Sequence, residues 1–217
     1  MPSINRAYDF QVSSLENQYR GAIELKKVLG KQLANWHEDS NGVLVNLKTN
    51  VSQREEISFP QRSYKDTKVQ LNSFWASNRA KIIAEAINQQ GIETIWEIGA
   101  GNGLTAIPLS RIGFTVVASE PIYEGALSLT KHNITTLNAS LAELKLPSSS
   151  VEALGIFDVL EHIEKVSEFL NEIHRVMQPG SKLFITVPAH QWLFSDFDSS
   201  IGHFRMYSKK LLTQELV

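Results

Sequence analysis

The stretch Ile95 to Gly103, IWEIGAGNG, constrains this 217-residue chain more than any other. ETIWEIG reads as a short strand, and glycines stand at 99, 101 and 103. Glycine lets the backbone turn sharply and lets a ligand approach with no side chain in the way. The segment 103 to 112 reads as a helix, whose N-terminus offers unpaired N–H groups and partial positive charge. Pro108 is expected to kink that helix, because it removes one backbone donor. Strand, glycine turn and helix together form a cofactor-binding element. Glu97 is the anomaly, since it falls where the strand should be buried.

Strands and helices alternate on either side of this element. Phe74, Trp75, Ile82, Ile83, Ala86 and Ile87 make one helical face, and Gly91 stands at its stop position. FTVVASE is a strand, a helix covers about 123 to 133, and IFDV is another strand. VSEFLNEIHRVM places Val166, Phe169, Leu170, Ile173 and Val176 on one helix face, with Pro179-Gly180 expected to end it. KLFITV is the next strand. This alternation predicts a doubly wound, mostly parallel α/β sheet covered on both faces.

Residues 1–70 have a different texture and are read as an N-terminal helical and irregular extension to a domain over 71–217. Leu15, Tyr19, Ala22, Val28, Leu29, Leu33 and Trp36 place a helix over 13 to 37. Asn41-Gly42 marks a turn, GVLVNLKTNV alternates like a strand or hairpin arm, and 50 to 70 reads as loop. The extension is expected to be a cap or a dimerisation arm.

Lys and Arg total 21 against 23 Asp and Glu, for a net charge of −2, so no broad nucleic-acid surface is expected. The chain has no cysteine, which removes disulfides, thiolate nucleophiles and cysteine zinc sites. No apolar run approaches the ~20 residues of a membrane span, and MPSINRAYDFQ lacks the apolar core of a signal peptide. A cytoplasmic enzyme or binding protein is the expectation. His37, His132, His162, His174, His190 and His203 show no H-x-x-x-H pairing, so no metal is expected.

The identity of the cofactor turns on two residues. A dinucleotide fingerprint, G-x-G-x-x-G, needs a third glycine at 104, and leucine stands there. Glu97 would repel a pyrophosphate and suits a ligand carrying a positive group. S-adenosylmethionine has an amino group and a sulfonium, and no phosphate.

With Glu97, Gly99, Gly101 and Gly103 in order, the stretch resembles motif I of the class I S-adenosylmethionine-dependent methyltransferases, in their type 11/12-like branch. Glu120, about 20 residues after Gly99, matches the strand-end acid that accepts the ribose hydroxyls. FDVLEHI, followed by VMQPGSKLFITVP, resembles the fourth-strand end, helix, Pro-Gly turn and fifth strand of the family. VPAHQWLFSDFDSSIGHFRMYS resembles a sub-branch with a V-P-A-H strand end and a G-H-x-R-R-Y element, with Met206 in place of the second arginine. FWASNR at 74 to 79 is similar to an aromatic-Trp-x-x-x-Arg element of that sub-branch.

The resemblance runs from about Phe74 to the end. It implies S-adenosyl-L-methionine as cofactor, held by Glu97, Gly99, Ala100, Gly101, Gly103, Glu120, Pro121, Leu141 and the backbone near Phe157 and Asp158. The aspartate that contacts adenine in relatives has no counterpart, and Ser140 stands in its place.

Methyl transfer from a sulfonium needs positioning above all, and a general base only when the acceptor must lose a proton. His162 is the candidate base, and is also readable as structural or as a substrate contact. His203, Arg205 and Tyr207 alternate along an extended stretch, as a substrate clamp or as a loop pinned to the core. His190 is a further substrate candidate. The expected acceptor is a small molecule, lipid or glycan, methylated on oxygen or nitrogen. A non-catalytic binding protein and a nicotinamide-dependent oxidoreductase are the alternatives. The family usually has seven strands, and the last two have no residues here, so a fragment, or an exposed sheet edge covered by a partner or by the N-terminal region, is expected. A homodimer through either surface follows from that.

Overall fold

The computed structural model describes residues 3–47 and 74–216. The loop expected over 50 to 70, and the placing of Trp75 on a helix face, lie outside the described residues.

The strands are β1 (Trp36–Glu38), β2 (Leu44–Asn46), β3 (Thr94–Ile98), β4 (Thr115–Ser119), β5 (Thr135–Leu137), β6 (Val151–Phe157) and β7 (Met177–Thr186). The helices are α1 (Ser3–Leu29), α2 (Phe74–Asn88), α3 (Ala106–Arg111), α4 (Tyr123–Thr130), α5 (Leu141–Leu144), α6 (Val166–Val176), α7 (Asp196–Ser200) and α8 (Lys209–Glu215). One sheet runs in the order β1-β2-β5-β4-β3-β6-β7. Every pairing is parallel except the β1–β2 hairpin.

All five residues of β4 are buried, as a central strand covered on both faces requires. The alternation of β3 divides two cores. Trp96 joins Leu25, Leu154, Ile173 and Tyr207 on one side, and Ile95 joins Ile83, Ile87, Ile107 and Leu129 on the other. From β3 the chain steps outward to β4 and β5 on one side and to β6 and β7 on the other. That reversal opens a crevice at the carboxyl ends of β3 and β6, where ligands bind in such sheets.

The N-terminal residues share this core and this sheet. Leu25, Val28 and Leu29 of α1 are buried with Trp96, whose indole N–H donates to Glu24 Oε1 at 3.4 Å. The helix begins at Ser3 and stops at Leu29, where Gly30 takes a left-handed φ of 51°. Its buried stripe is Asn17, Gly21, Leu25 and Val28, and the expected apolar positions Leu15 and Tyr19 are 60% and 69% exposed. The reason is close approach: a Cβ on Gly21 would lie 2.3 Å from Thr135 Oγ1. Trp36, expected within the helix, opens β1 instead.

Two further expectations change. Pro108 is the third residue of α3, in the first turn, where its missing N–H costs no helix bond, so it does not kink the helix. Pro179-Gly180 lies inside β7 as an irregularity: Val151 pairs with Met177, but Ala153 pairs with Lys182. The sheet does reach seven strands. Its two strands beyond the expected five are β1 and β2, and they lie against β5 at the opposite edge from β7. No helix among the described residues is long and apolar enough to cross a membrane.

Candidate cofactor and acceptor site

The turn after β3 is held open by three left-handed glycines, with φ of 69° at Gly99, 57° at Gly101 and 88° at Gly103. A Cβ on Gly99 would meet Val159 Cγ2 at 2.9 Å, and one on Gly103 would meet Ile107 Cδ1 at 2.6 Å. A Cβ on Gly101 would have nothing within 4 Å. Gly99 and Gly103 therefore pack, and Gly101 borders open space. The N–H groups of Gly99 and Ala100 donate to the Ser119 carbonyl at 2.8 and 3.1 Å, which ties the turn to the end of β4.

Glu120, just after β4, is buried beside this turn. Its Oε2 accepts from Gly101 N–H at 2.7 Å and its Oε1 from Ile122 N–H at 2.8 Å. Asn138 Nδ2 donates to the carbonyls of Glu120 (2.9 Å) and Pro121 (3.0 Å), which fixes the backbone carrying the carboxylate.

Glu97 is 2% exposed, and its Oε2 is buried without a hydrogen-bond partner. Desolvation pushes its carboxyl up to about 8, Arg79 opposes the shift, and the charges of Glu120 and Asp158 add to it. Arg79 of α2 lies 2.8 Å from Asp158 Oδ2 and donates to Thr186 Oγ1 at 2.8 Å. That hydroxyl donates in turn to Asp158 Oδ1 at 2.9 Å. Asp158 sits just past β6 with a left-handed φ of 56°. An orphaned, protonated carboxyl beside a bare glycine turn suits an incoming ammonium group, which would draw the proton off.

Sequence reasoning gave Arg79 no role. The only signal for it was the FWASNR element, because its partners Asp158 and Thr186 come from distant strand ends. Of the other cofactor candidates, Ala100 and Leu141 are buried, and Pro121 is half-buried. The Phe157 ring folds back over its own strand: a Cβ on Gly155 would meet its Cε2 at 2.6 Å. Ser140 caps α5, its hydroxyl accepting from Glu143 N–H at 3.4 Å while Glu143 reaches back to Ser140 N–H at 2.7 Å.

The second half of the site follows β6. Glu161 is 1% exposed, and its Oε2 is also buried without a partner. Burial pushes its carboxyl up to about 8, against its own backbone hydrogen bond. His162 Nδ1 lies 3.2 Å from the Gly202 carbonyl, and its ring meets that of His203 edge-on at 4.7 Å. Burial and then His203 push His162 down to about 4, which keeps the ring neutral near pH 7. Burial lowers His203 too, while Asp198, 3.3 Å from its Nδ1, opposes the shift. That contact is an ion-pair distance without hydrogen-bond geometry, and Nδ1 remains without a hydrogen-bond partner. One ligand atom from each of Glu161, His162 and His203 falls within 4.8 Å of the others. Local histidine spacing could not show it, since His203 arrives on the segment after β7.

The remaining acceptor-side candidates separate. Tyr207 is 1% exposed in the core, and its phenol donates to the Leu160 carbonyl at 3.4 Å, so it does not share an open face with His203. Arg205 donates to the Glu164 carbonyl at 3.2 Å and lies over the Phe204 ring at 5.8 Å. Met206 is buried, as suits an apolar side chain at this position. His190 is exposed with a φ of 73°, its ring 6.0 Å from that of Trp192.

Comparison with known proteins converges on one family. Residues 96–185 match the family described as a methyltransferase domain. The mitochondrial ubiquinone biosynthesis O-methyltransferase of Rattus norvegicus is 30% identical over 103 residues, covering 42% of this chain and 30% of that protein. A probable S-adenosylmethionine-dependent methyltransferase of Mycobacterium tuberculosis is 24% identical over 149 residues, covering 67% of this chain and 53% of that protein. The chain thus spans between about a third and about half of these relatives. A Thermotoga maritima structure described as a SAM-dependent methyltransferase and possible histamine N-methyltransferase shares the fold, with a TM-score of 0.56 and 17% identity over 70% of this chain and 76% of that one. The seven-stranded sheet, the glycine turn between β3 and α3 and the acids at the ends of β3 and β4 agree with that match: residues 96–185 carry a methyltransferase domain of the class I S-adenosylmethionine-dependent type.

Proposed function

We propose that this chain transfers a methyl group from S-adenosylmethionine to an oxygen or nitrogen of a small-molecule, lipid or glycan acceptor. The observation that carries the reading is Glu97: a buried carboxyl with an unpartnered oxygen, at the end of the strand that leads into the glycine turn, where Gly101 borders open space. Glu97 receives the amino group of the cofactor. Gly99, Ala100, Gly101 and Gly103 lie along its amino-acid and ribose portion. Glu120 accepts the ribose hydroxyls, Pro121 and Leu141 border the adenine, and the backbone at Phe157 and Asp158 meets the amino-acid end.

On the acceptor side, the nucleophile's lone pair forms the new bond to the methyl carbon while the carbon–sulfur pair returns to sulfur. His162, kept neutral by its burial, takes the acceptor's proton. His190, His203 and Arg205 line the approach, with Tyr207 supporting the segment from below. The likeness to the ubiquinone O-methyltransferase favours a hydroxyl acceptor.

Calorimetry with S-adenosylmethionine and S-adenosylhomocysteine tests the first half of this reading. Saturable heat from both is expected. No heat from either, on protein whose circular dichroism shows it folded, overturns it. Turnover is then read as S-adenosylhomocysteine formed across a panel of phenols, alcohols and amines. Binding without turnover on any of them would leave a binding protein.

A further inference from the structure

We infer that Glu161, His162 and His203 form a binding site for one divalent transition-metal ion, with zinc as the ion of best fit. Three side chains of metal-ligating type converge, one ligand atom from each lying within 4.8 Å of the others. They come from two separate segments, the turn after β6 and the stretch between α7 and α8, so local chain geometry does not bring them together. Glu161 is almost wholly buried, and its Oε2 has no hydrogen-bond partner. A buried carboxyl oxygen left so is costly unless something binds it. His203 Nδ1 is buried and without a hydrogen bond as well.

The surroundings match those of metal-bound imidazoles. A carbonyl can only accept, so the Gly202 carbonyl 3.2 Å from His162 Nδ1 sets the hydrogen on that nitrogen and the lone pair on Nε2. A ligating histidine characteristically donates its other ring N–H to a carbonyl or a carboxylate. Asp198 Oδ1, 3.3 Å from His203 Nδ1, adds a further carboxylate beside the cluster. The set of two imidazoles and one carboxylate is a recurrent zinc set that leaves a position open for a further ligand. Magnesium and calcium prefer oxygen alone. Tetrahedral ligands of a zinc ion at ~2.1 Å stand roughly 3.4 Å apart, so the cluster, within 4.8 Å, must close by up to about 1.4 Å on binding. The charges facing it are Asp158 and Arg79, which are paired with each other.

The site stands on these side chains alone. Its functional consequence rests on the methyltransferase reading: in the metal-loaded protein His162 Nε2 ligates the ion instead of serving as the base, and the open position would take the acceptor's oxygen and make its proton easier to lose to solvent.

The test uses tag-free full-length protein stripped with a chelator. Cobalt(II) is titrated and followed by its visible absorption, and zinc is titrated by calorimetry. One equivalent of each is expected, with zinc abolishing the cobalt bands and magnesium leaving them. His203→Asn and Glu161→Gln are each expected to weaken cobalt binding by about tenfold or more. Each variant is also titrated with S-adenosylhomocysteine, where an unchanged affinity shows an intact fold. If one variant does not fold, the other decides. Absence of a saturable cobalt spectrum in the wild type, or wild-type cobalt affinity in a folded variant, overturns the site. Lost S-adenosylhomocysteine binding with cobalt binding intact would instead count against the methyltransferase reading.

Discussion

The ends of β3 and β4 hold their part of the site largely with backbone, whereas the stretch from Asp158 to Tyr207 holds its part with side chains. On the first side, glycine torsions and amide N–H groups set the shape, and Glu120 is pinned by N–H groups from both flanks. On the second, a glutamate and two histidines meet across two segments, and their position depends on what packs behind them. Substitution should therefore act differently on the two sides. On the glycine side, adding one carbon is decisive. On the acceptor side, changing a functional group is decisive and shape matters less.

Gly103→Ala should show the largest effect. A Cβ there meets Ile107 and Leu129 at 2.6 and 2.9 Å with φ at 88°, and a loss of about 3 kcal/mol is expected in urea unfolding. A near-neutral result would break the claim that Gly103 is there for packing.

The pH dependence of the ligand-free, metal-free protein comes next. Glu97 and Glu161 both have folded values raised to about 8. The stability tied to their protonation is complete below the unfolded range near pH 4.5 and is lost as pH rises to about 8. Each contributes a slope of at most about 1.4 kcal/mol per pH unit in that window. His162, lowered to about 4, acts oppositely and only as pH falls below about 6.5. Stability should therefore fall between pH 6.5 and 8, and Glu97→Gln should remove about half of that slope. An unchanged slope in Glu97→Gln would sink the assignment. The same proton should leave on cofactor binding at pH 7, read by calorimetry in buffers of different ionisation enthalpy.

Gly101→Ala is expected to cost only about 1 kcal/mol of stability, from the left-handed backbone, because its Cβ meets nothing within 4 Å. Its S-adenosylhomocysteine affinity should nonetheless fall by about tenfold or more, corresponding to roughly 1.4 kcal/mol. Equal affinity for wild type and variant would mean that no ligand approaches there. Gly21→Ala is the smallest case. Helix propensity favours alanine by up to about 1 kcal/mol, but contact with Thr135 at 2.3 Å reverses the sign. A net loss of about 1 kcal/mol is expected in thermal unfolding, and a gain would show that α1 sits less closely on β5.

The same division governs what the sequence makes legible. The turn after β3, Glu97, Glu120 and the alternation of strands and helices are local patterns, and each can be read from a few adjacent residues. The buried face of α1 cannot, because it is chosen by Thr135 and Ser110 far along the chain: Gly21 fits under one, and Asn17 Nδ2 donates to the carbonyl of the other at 2.9 Å. The apolar Leu15 and Tyr19 drew the helix face to the wrong side for that reason. Asn41-Gly42 was readable as a turn, but nothing local says that β2 pairs with β5. Arg79 and the His162–His203 contact escape in the same way, since each exists only once distant strand ends are neighbours.

The pairing of Leu44 with Leu137 also carries a consequence for biosynthesis. A chain leaves the ribosome N-terminus first, and local structure can form as it emerges. Among the described residues, β2 has no sheet neighbour beyond its own hairpin until β5 has been made, and Leu25 waits still longer for Leu154. These elements are thus made before the strands they pair with, so slow closure follows from an edge built of strands that precede the centre in sequence.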